Sequence, residues 1–138
     1  ELKRGSLDEV EHLLSYTAYL CQYAAEEDVG YEMMLNVLRP GKVPYLQQHE
    51  GSGRAQLAKS LEMLAYIPRH PATHPFEKLL YDVAEKYKVP KTIVIVGTIS
   101  PETYPQLARL KALGHHIFYV EKDDEIAYVN RLTLGKIA

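Results

Sequence analysis

The stretch KTIVIVGTISPETYPQLARLKALGHHIFYV, residues 91–120, constrains the fold more than any other part of the chain. Thr92 to Val96 is an unbroken apolar, β-branched run, the pattern of a strand buried on both faces. A short loop, Gly97-Thr98-Ile99-Ser100-Pro101-Glu102, leads into an amphipathic helix, and Ile117 to Val120 forms a second strand. Two strands joined by a helix pair in parallel through a crossover, so a parallel α/β sheet is expected. The loop after the first strand then lies where open α/β sheets bind their ligands.

The rest of the chain alternates in the same way. Ser6-Leu7-Asp8-Glu9 has the form of a capping box and predicts a helix start. Val10, Leu13, Leu14, Thr17, Leu20, Cys21 and Ala24 follow at helical spacing, ending near Glu26-Glu27-Asp28. Val29 to Leu38 follows with Gly30 at its mouth, and within it Met33 to Leu38 reads as a largely buried strand. Arg39-Pro40-Gly41-Lys42 is a turn, and Val43 to His49 a returning strand, which Pro44 assigns to the sheet edge. Gly51-Ser52-Gly53 opens a helix with Leu57, Leu61, Leu64 and Ala65 on its inner stripe, closing before Pro68. RHPATHP, residues 69–75, reads as an irregular loop. Phe76 to Tyr87 is a further helix with Leu79, Leu80, Val83 and Ala84 inward, ended by Val89-Pro90. Ile126 to Leu134 reads as a weak final strand or a tail.

At 138 residues the chain is expected to form a single domain, residues 1–138. It begins on a helix, whereas a doubly wound domain begins on its central strand. A strand is therefore expected to be missing on the N-terminal side, and the chain to be a piece of a longer protein. In that case the Met33 strand pairs with the Ile93 strand, or another copy of the chain fills the gap as a homodimer.

The segments GSGRAQLAKSLEMLAYI, PFEKLLYDV and TIVIVGTISPETYPQLARLKALGHHIFYV together resemble the C-terminal two thirds of a bacterial von Willebrand factor A-like domain. The similarity is to the domain of unknown function 58 family and runs from about Tyr16 to Val120. The resemblance implies a three-layer α/β sandwich with a mostly parallel sheet, one antiparallel edge strand formed by Val43 to His49, and no first strand. It also implies a divalent-cation position built from an Asp-x-Ser-x-Ser loop, a threonine loop and an aspartate loop. No Asp-x-Ser-x-Ser occurs here, Gly51-Ser52-Gly53-Arg54 stands at the threonine loop, and Val96-Gly97-Thr98 stands at the aspartate loop. Magnesium takes a shell of hard oxygens with at least one carboxylate, and Arg54 would repel it. No cofactor is expected, and a cation such as magnesium only if N-terminal residues outside the chain supply its ligands.

The candidate binding residues are Ser52, Arg54, Thr98, Ser100 and Glu102, which rim the strand ends. Each has a plainer reading. Ser100-Pro101-Glu102 is an ordinary helix start. Gly51 to Arg54 is a turn that lacks the Gly-Lys-Ser/Thr ending of a phosphate loop. His70 and His74 are separated by proline, and the adjacent His115 and His116 point to opposite strand faces, so neither pair suits zinc. Tyr16, Tyr19 and Tyr23 border the apolar stripe of the first helix or form an interface.

Sixteen basic and eighteen acidic residues leave a formal charge of −2, which argues against a nucleic-acid partner. No apolar run approaches the about 20 residues a membrane-spanning helix needs. One cysteine, Cys21, excludes an internal disulfide and fits a cytoplasmic setting. No nucleophile, base and orienting group emerge together, so an enzyme is not expected. Proteins of the resembled family carry membrane helices and work beside AAA-type ATPases. The expected function is accordingly a protein-interaction module at the cytoplasmic face of the membrane, contacting lipid only through segments outside this chain. The alternative is a small-anion or nucleotide-binding domain that uses the Gly51–Arg54 turn.

Overall fold

The computed structural model of the protein describes residues 2–68, 70–97 and 99–120. Thr98, Arg69 and the segment 121–138, with its expected final strand, lie outside the described residues. The order is α1 (Leu2–Glu26), β1 (Tyr31–Leu38), β2 (Tyr45–Gly51), α2 (Gly53–Ala65), α3 (Phe76–Lys86), β3 (Thr92–Val96), a 3₁₀ turn (Pro101–Thr103), α4 (Tyr104–Ala112) and β4 (His116–Val120). The protein is thus mixed α/β. Residues group into two compact units, Glu1–His74 and Pro75–Ala138.

In the first unit, α1 begins at Leu2 rather than at the Ser6 capping box. Leu2-Lys3-Arg4 are good helix formers, and Gly5 costs only about 1 kcal/mol inside a helix. Asp28, with φ 56°, ends α1 in the left-handed conformation. β1 and β2 form an antiparallel hairpin, as the turn signal at residues 39–42 predicts. Pro44 stands before the strand and accepts the Arg39 N–H through its carbonyl at 3.1 Å, so it does not interrupt the ladder. The segment expected to be irregular instead lines one edge of β1. Thr73 bridges Val37, Leu38 N–H reaches Ala72 O at 2.8 Å, and His74 N–H reaches Asn36 O at 2.9 Å. The apolar core of this unit is Cys21, Met33 and Leu64, with Leu14, Ala18, Tyr31, Leu35, Leu57 and Met63 around it.

The inner face of α2 departs from the apolar expectation. Its buried residues are Gln56, Ser60 and Leu64, one helical stripe at four-residue spacing, while Leu61 is 44% exposed and Ala65 is exposed. Two of the three inward positions are polar because the hairpin they cover is irregular.

The second unit has, among its described residues, the elements its sequence predicts, but β3, expected to be buried on both faces, fully buries only Ile95 and exposes Thr92 and Val94 on its other face. α3 buries Leu79, Leu80, Val83 and Ala84. β3 and β4 pair in parallel in continuous register from Thr92–His116 to Val96–Val120, with α4 as the crossover. Leu107 and Leu110 of α4 and Ile95 of β3 are buried. Gly114, at φ 95°, ends α4 where a side chain would meet the Pro90 ring, and only glycine adopts this turn without strain.

The sheets differ from the single one expected. β1 pairs with β2 and β3 with β4, as two sheets of two strands each, and the Met33 strand has no ladder to the Ile93 strand among the described residues.

Candidate functional site

Ser100 and Glu102 sit just beyond the carboxyl end of β3. Ser100 is extended and precedes the 3₁₀ turn, the position of an N-cap, but its hydroxyl does not cap a backbone N–H. The Ser100 hydroxyl and Glu102's own backbone N–H hold the Glu102 carboxyl below the usual carboxylate range. The turn is closed from elsewhere: Thr103 N–H and Oγ1 both donate to the Ser100 carbonyl, at 3.0 and 2.6 Å. Glu102 is exposed, whereas Thr103 is only 1% exposed, so the loop is anchored from beneath with its acidic group outward.

Beside this loop an open groove of about 460 Å³ is lined by Ile99, Tyr104, Leu107, Ala108, Lys111 and Tyr119. The Lys111 ammonium lies 5.9 Å from the centre of the Tyr119 ring.

Ser52 and Arg54 lie in the first unit, at the start of α2, and both are exposed. Ser52 occupies the N-cap position without a side-chain cap bond. The structure thus brings Ser100 and Glu102 together in one unit and sets Ser52 beside Arg54 in the other. The fit to a divalent cation is poor within each. One offers a hydroxyl beside a guanidinium, and the other a hydroxyl and a single carboxylate. Among the described residues no group of three or more His, Cys, Asp or Glu side chains could hold a metal ion.

The sequence reading missed a polar cluster under the hairpin. Between the pairs Tyr31–Gly51 and Met33–Gln48 the ladder carries one residue of β1 against two of β2, a bulge. A bulge leaves carbonyls without ladder donors. Gln56 supplies them, its Nε2 donating to Tyr31 O and His49 O at 2.9 Å each. Gln48 Nε2 in turn donates to Gln56 O at 3.0 Å, and Ser60 Oγ donates to Gln48 Oε1 at 2.6 Å. Ser60 has one proton, so the Tyr31 hydroxyl, 2.6 Å away, is the donor to Ser60. Burial pushes the Tyr31 phenol up to about 12 and also raises the Cys21 thiol beside it. A phenol that donates and a thiol that stays protonated make this a structural network rather than a reactive one. Its one sequence signal is the Gln56-Ser60-Leu64 spacing.

No histidine pair forms a site. His115 is 5% exposed and accepts the Lys91 N–H at Nδ1 over 2.9 Å, so Nε2 carries the proton. His116 is exposed, as is His70, and His74 packs 5.5 Å from the Tyr45 ring. Tyr16 is 8% exposed and belongs to the core.

No protein-family model, curated protein or solved structure matches the chain. The reading of its function therefore rests on the residues themselves.

Proposed function

We propose that the chain is a protein-interaction module of a membrane-associated bacterial protein, working with an AAA-type ATPase in assembly or maturation on the cytoplasmic side. Its fold in this reading is a three-layer von Willebrand A-like sandwich with a mostly parallel sheet and one antiparallel edge strand. The observation that carries the proposal is the loop at the carboxyl end of a parallel strand, pinned by buried Thr103 to the Ser100 carbonyl and turning Glu102 outward. An anchored loop that turns an ionised carboxylate outward suits recognition of a basic partner surface. Thr98 belongs to the same loop by sequence. No helix among the described residues is long and apolar enough to cross a membrane, so membrane anchorage in this reading comes from segments outside them.

The test is binding of the chain to the purified AAA-type ATPase by surface plasmon resonance. Glu102→Lys is expected to weaken binding at least about thirtyfold, the roughly 2 kcal/mol of an interface hot spot. Absence of binding by the unaltered chain, or equal binding by Glu102→Lys and Ser100→Arg, rejects the proposal.

The second reading, a small-anion site at Ser52 and Arg54, is favoured by an uncommitted Ser52 hydroxyl and an exposed guanidinium at the start of α2. It is tested by titrating inorganic phosphate into the chain and into Arg54→Ala. A signal that saturates and is lost in the variant supports it.

A further inference from the structure

The end of the second unit opposite the Ser100 loop carries an unusual combination of charge and apolar exposure. Residues 86–91 read Lys-Tyr-Lys-Val-Pro-Lys, three lysines without a carboxylate. The Lys86 and Lys91 ammonium groups lie 5.1 and 5.8 Å from the centre of one ring, that of Tyr87. Lys88 is exposed between them. Glu85, whose field Lys88 shares, is already bonded to Arg109 at 2.6 Å. Lys86 is accounted for by its place in the last turn of α3, where a cation offsets the helix dipole. Lys88 and Lys91 lie beyond the helix and have no such explanation.

Apolar side chains stand out at the same end. Val89 is 66% exposed and Leu113 is 46% exposed, and they flank the place where Gly114 packs against the Pro90 ring. Backbone bonds fix the two segments side by side: His116 N–H donates to Lys91 O at 2.9 Å, and Lys91 N–H donates to His115 Nδ1 at 2.9 Å. The patch is therefore rigid, basic and tipped by two aliphatic side chains.

From this juxtaposition we infer that the Lys86–Lys91 end of the second unit docks on an anionic phospholipid surface, with Val89 and Leu113 entering the headgroup layer. Three features favour lipid over nucleic acid. The cations are lysines, compact point charges suited to a diffuse negative surface, rather than arginines that fork onto a phosphate. The one aromatic ring of the segment, Tyr87, is already engaged by the Lys86 and Lys91 ammonium groups, where a base-stacking surface needs a ring of its own. Exposed Val89 and Leu113 gain from an apolar layer and nothing from a polar backbone. The inference does not rest on the protein-interaction reading, and it departs from the expectation that lipid is met only through segments outside the chain.

The test uses the 138-residue chain and vesicles of phosphatidylcholine with or without about 30 mol % phosphatidylserine, by co-sedimentation at about 0.05 M and about 0.3 M salt. The chain is expected to sediment with the phosphatidylserine vesicles at low salt and not with phosphatidylcholine alone. Lys88→Glu with Lys91→Glu is expected to weaken partition at least about tenfold. Val89→Asp, an exposed position, is expected to weaken it severalfold while the thermal midpoint stays unchanged. Failure to sediment with phosphatidylserine vesicles, or a double variant that partitions like the unaltered chain, overturns the inference. So does equal affinity for a single-stranded oligonucleotide combined with indifference to Val89→Asp, which would assign the patch to general polyanion exchange.

Discussion

Gly51 has no side chain because Gln56 occupies the space: a methyl on Gly51 would stand 2.5 Å from Gln56 Oε1. The carboxamide cannot retreat without giving up Tyr31 O and His49 O. Gly51→Ala is therefore expected to destabilise the chain by about 1–3 kcal/mol, as overpacking does. Gln56→Ala is expected to cost about 2 kcal/mol, because two bulge carbonyls lose their donor. In the double variant the clash has nothing to clash with, so its loss should fall clearly short of the two losses added. Urea denaturation of the three variants checks this. Additive losses would mean that the glycine is needed for some other reason.

Ser60 is fully buried and joins Tyr31 to Gln48. Ser60→Ala leaves a phenol and a carboxamide oxygen without a partner and is expected to cost about 1–3 kcal/mol. Ser60→Cys, similar in size but a weak hydrogen bonder, should recover little of that. A full recovery in denaturation experiments would show that shape alone matters there.

How much of this was legible follows from the two units. In the second, Leu79, Leu80, Val83 and Ala84 read directly from their period, but the unbroken run Thr92–Val96 did not show which face of β3 would be open, and buried Thr103 and His115 carry no apolar signal. In the first, the hairpin was legible from its turn and the helix over it from its Leu57 and Leu64, but the polar part of that helix's inner face was not. Gln56 and Ser60 face inward for the sake of a bulge, and a bulge is a property of two strands in register, invisible in either one. The candidate site divides in the same way. Ser100 and Glu102 were singled out because the loop after a parallel strand is a general binding position. The hold of the Ser100 hydroxyl on Glu102 depends on a turn that Thr103 closes, which spacing does not reveal.

The Tyr31 phenol is held protonated, pushed up to about 12 by burial. The unfolded chain releases this proton near 10, so the contribution to stability is intact below about pH 10 and declines as the pH climbs towards 12. By ultraviolet absorbance Tyr31 should accordingly titrate late among the eleven tyrosines, and Tyr31→Phe should remove its step near 12. Between pH 10 and 12 the variant should also lose stability less steeply than the unaltered chain. A late step that survives Tyr31→Phe would assign it to another ring.

Cys21 is 5% exposed, its sulfur 4.0 Å from that of Met33, and burial raises its thiol. Alkylation by iodoacetamide near pH 8 is expected to be at least about 100-fold slower in the folded chain than in urea, since only the exposed thiolate reacts. Because α1, β1 and α2 meet around this thiol, its rate reports opening of the first unit. Gln56→Ala should accelerate labelling in proportion to its loss of stability, whereas Glu102→Lys, in the other unit, should leave it unchanged.

The influence of the Ser100 hydroxyl on Glu102 is the point on which the functional reading turns, and it can be read without a partner. The hydroxyl stabilises the ionised carboxylate, which lowers the Glu102 pKa. Ser100→Ala should therefore return Glu102 towards the ordinary range, while Ser100→Thr, which keeps the hydroxyl, should hold it low. Carbon-13 NMR titration of the side-chain carboxyl measures this directly. If Glu102 titrates identically in all three proteins, the loop does not organise its carboxylate, and the recognition surface proposed at the end of β3 loses its physical basis. If Ser100→Ala shifts it upward but partner binding is unchanged, the hydroxyl serves only the turn.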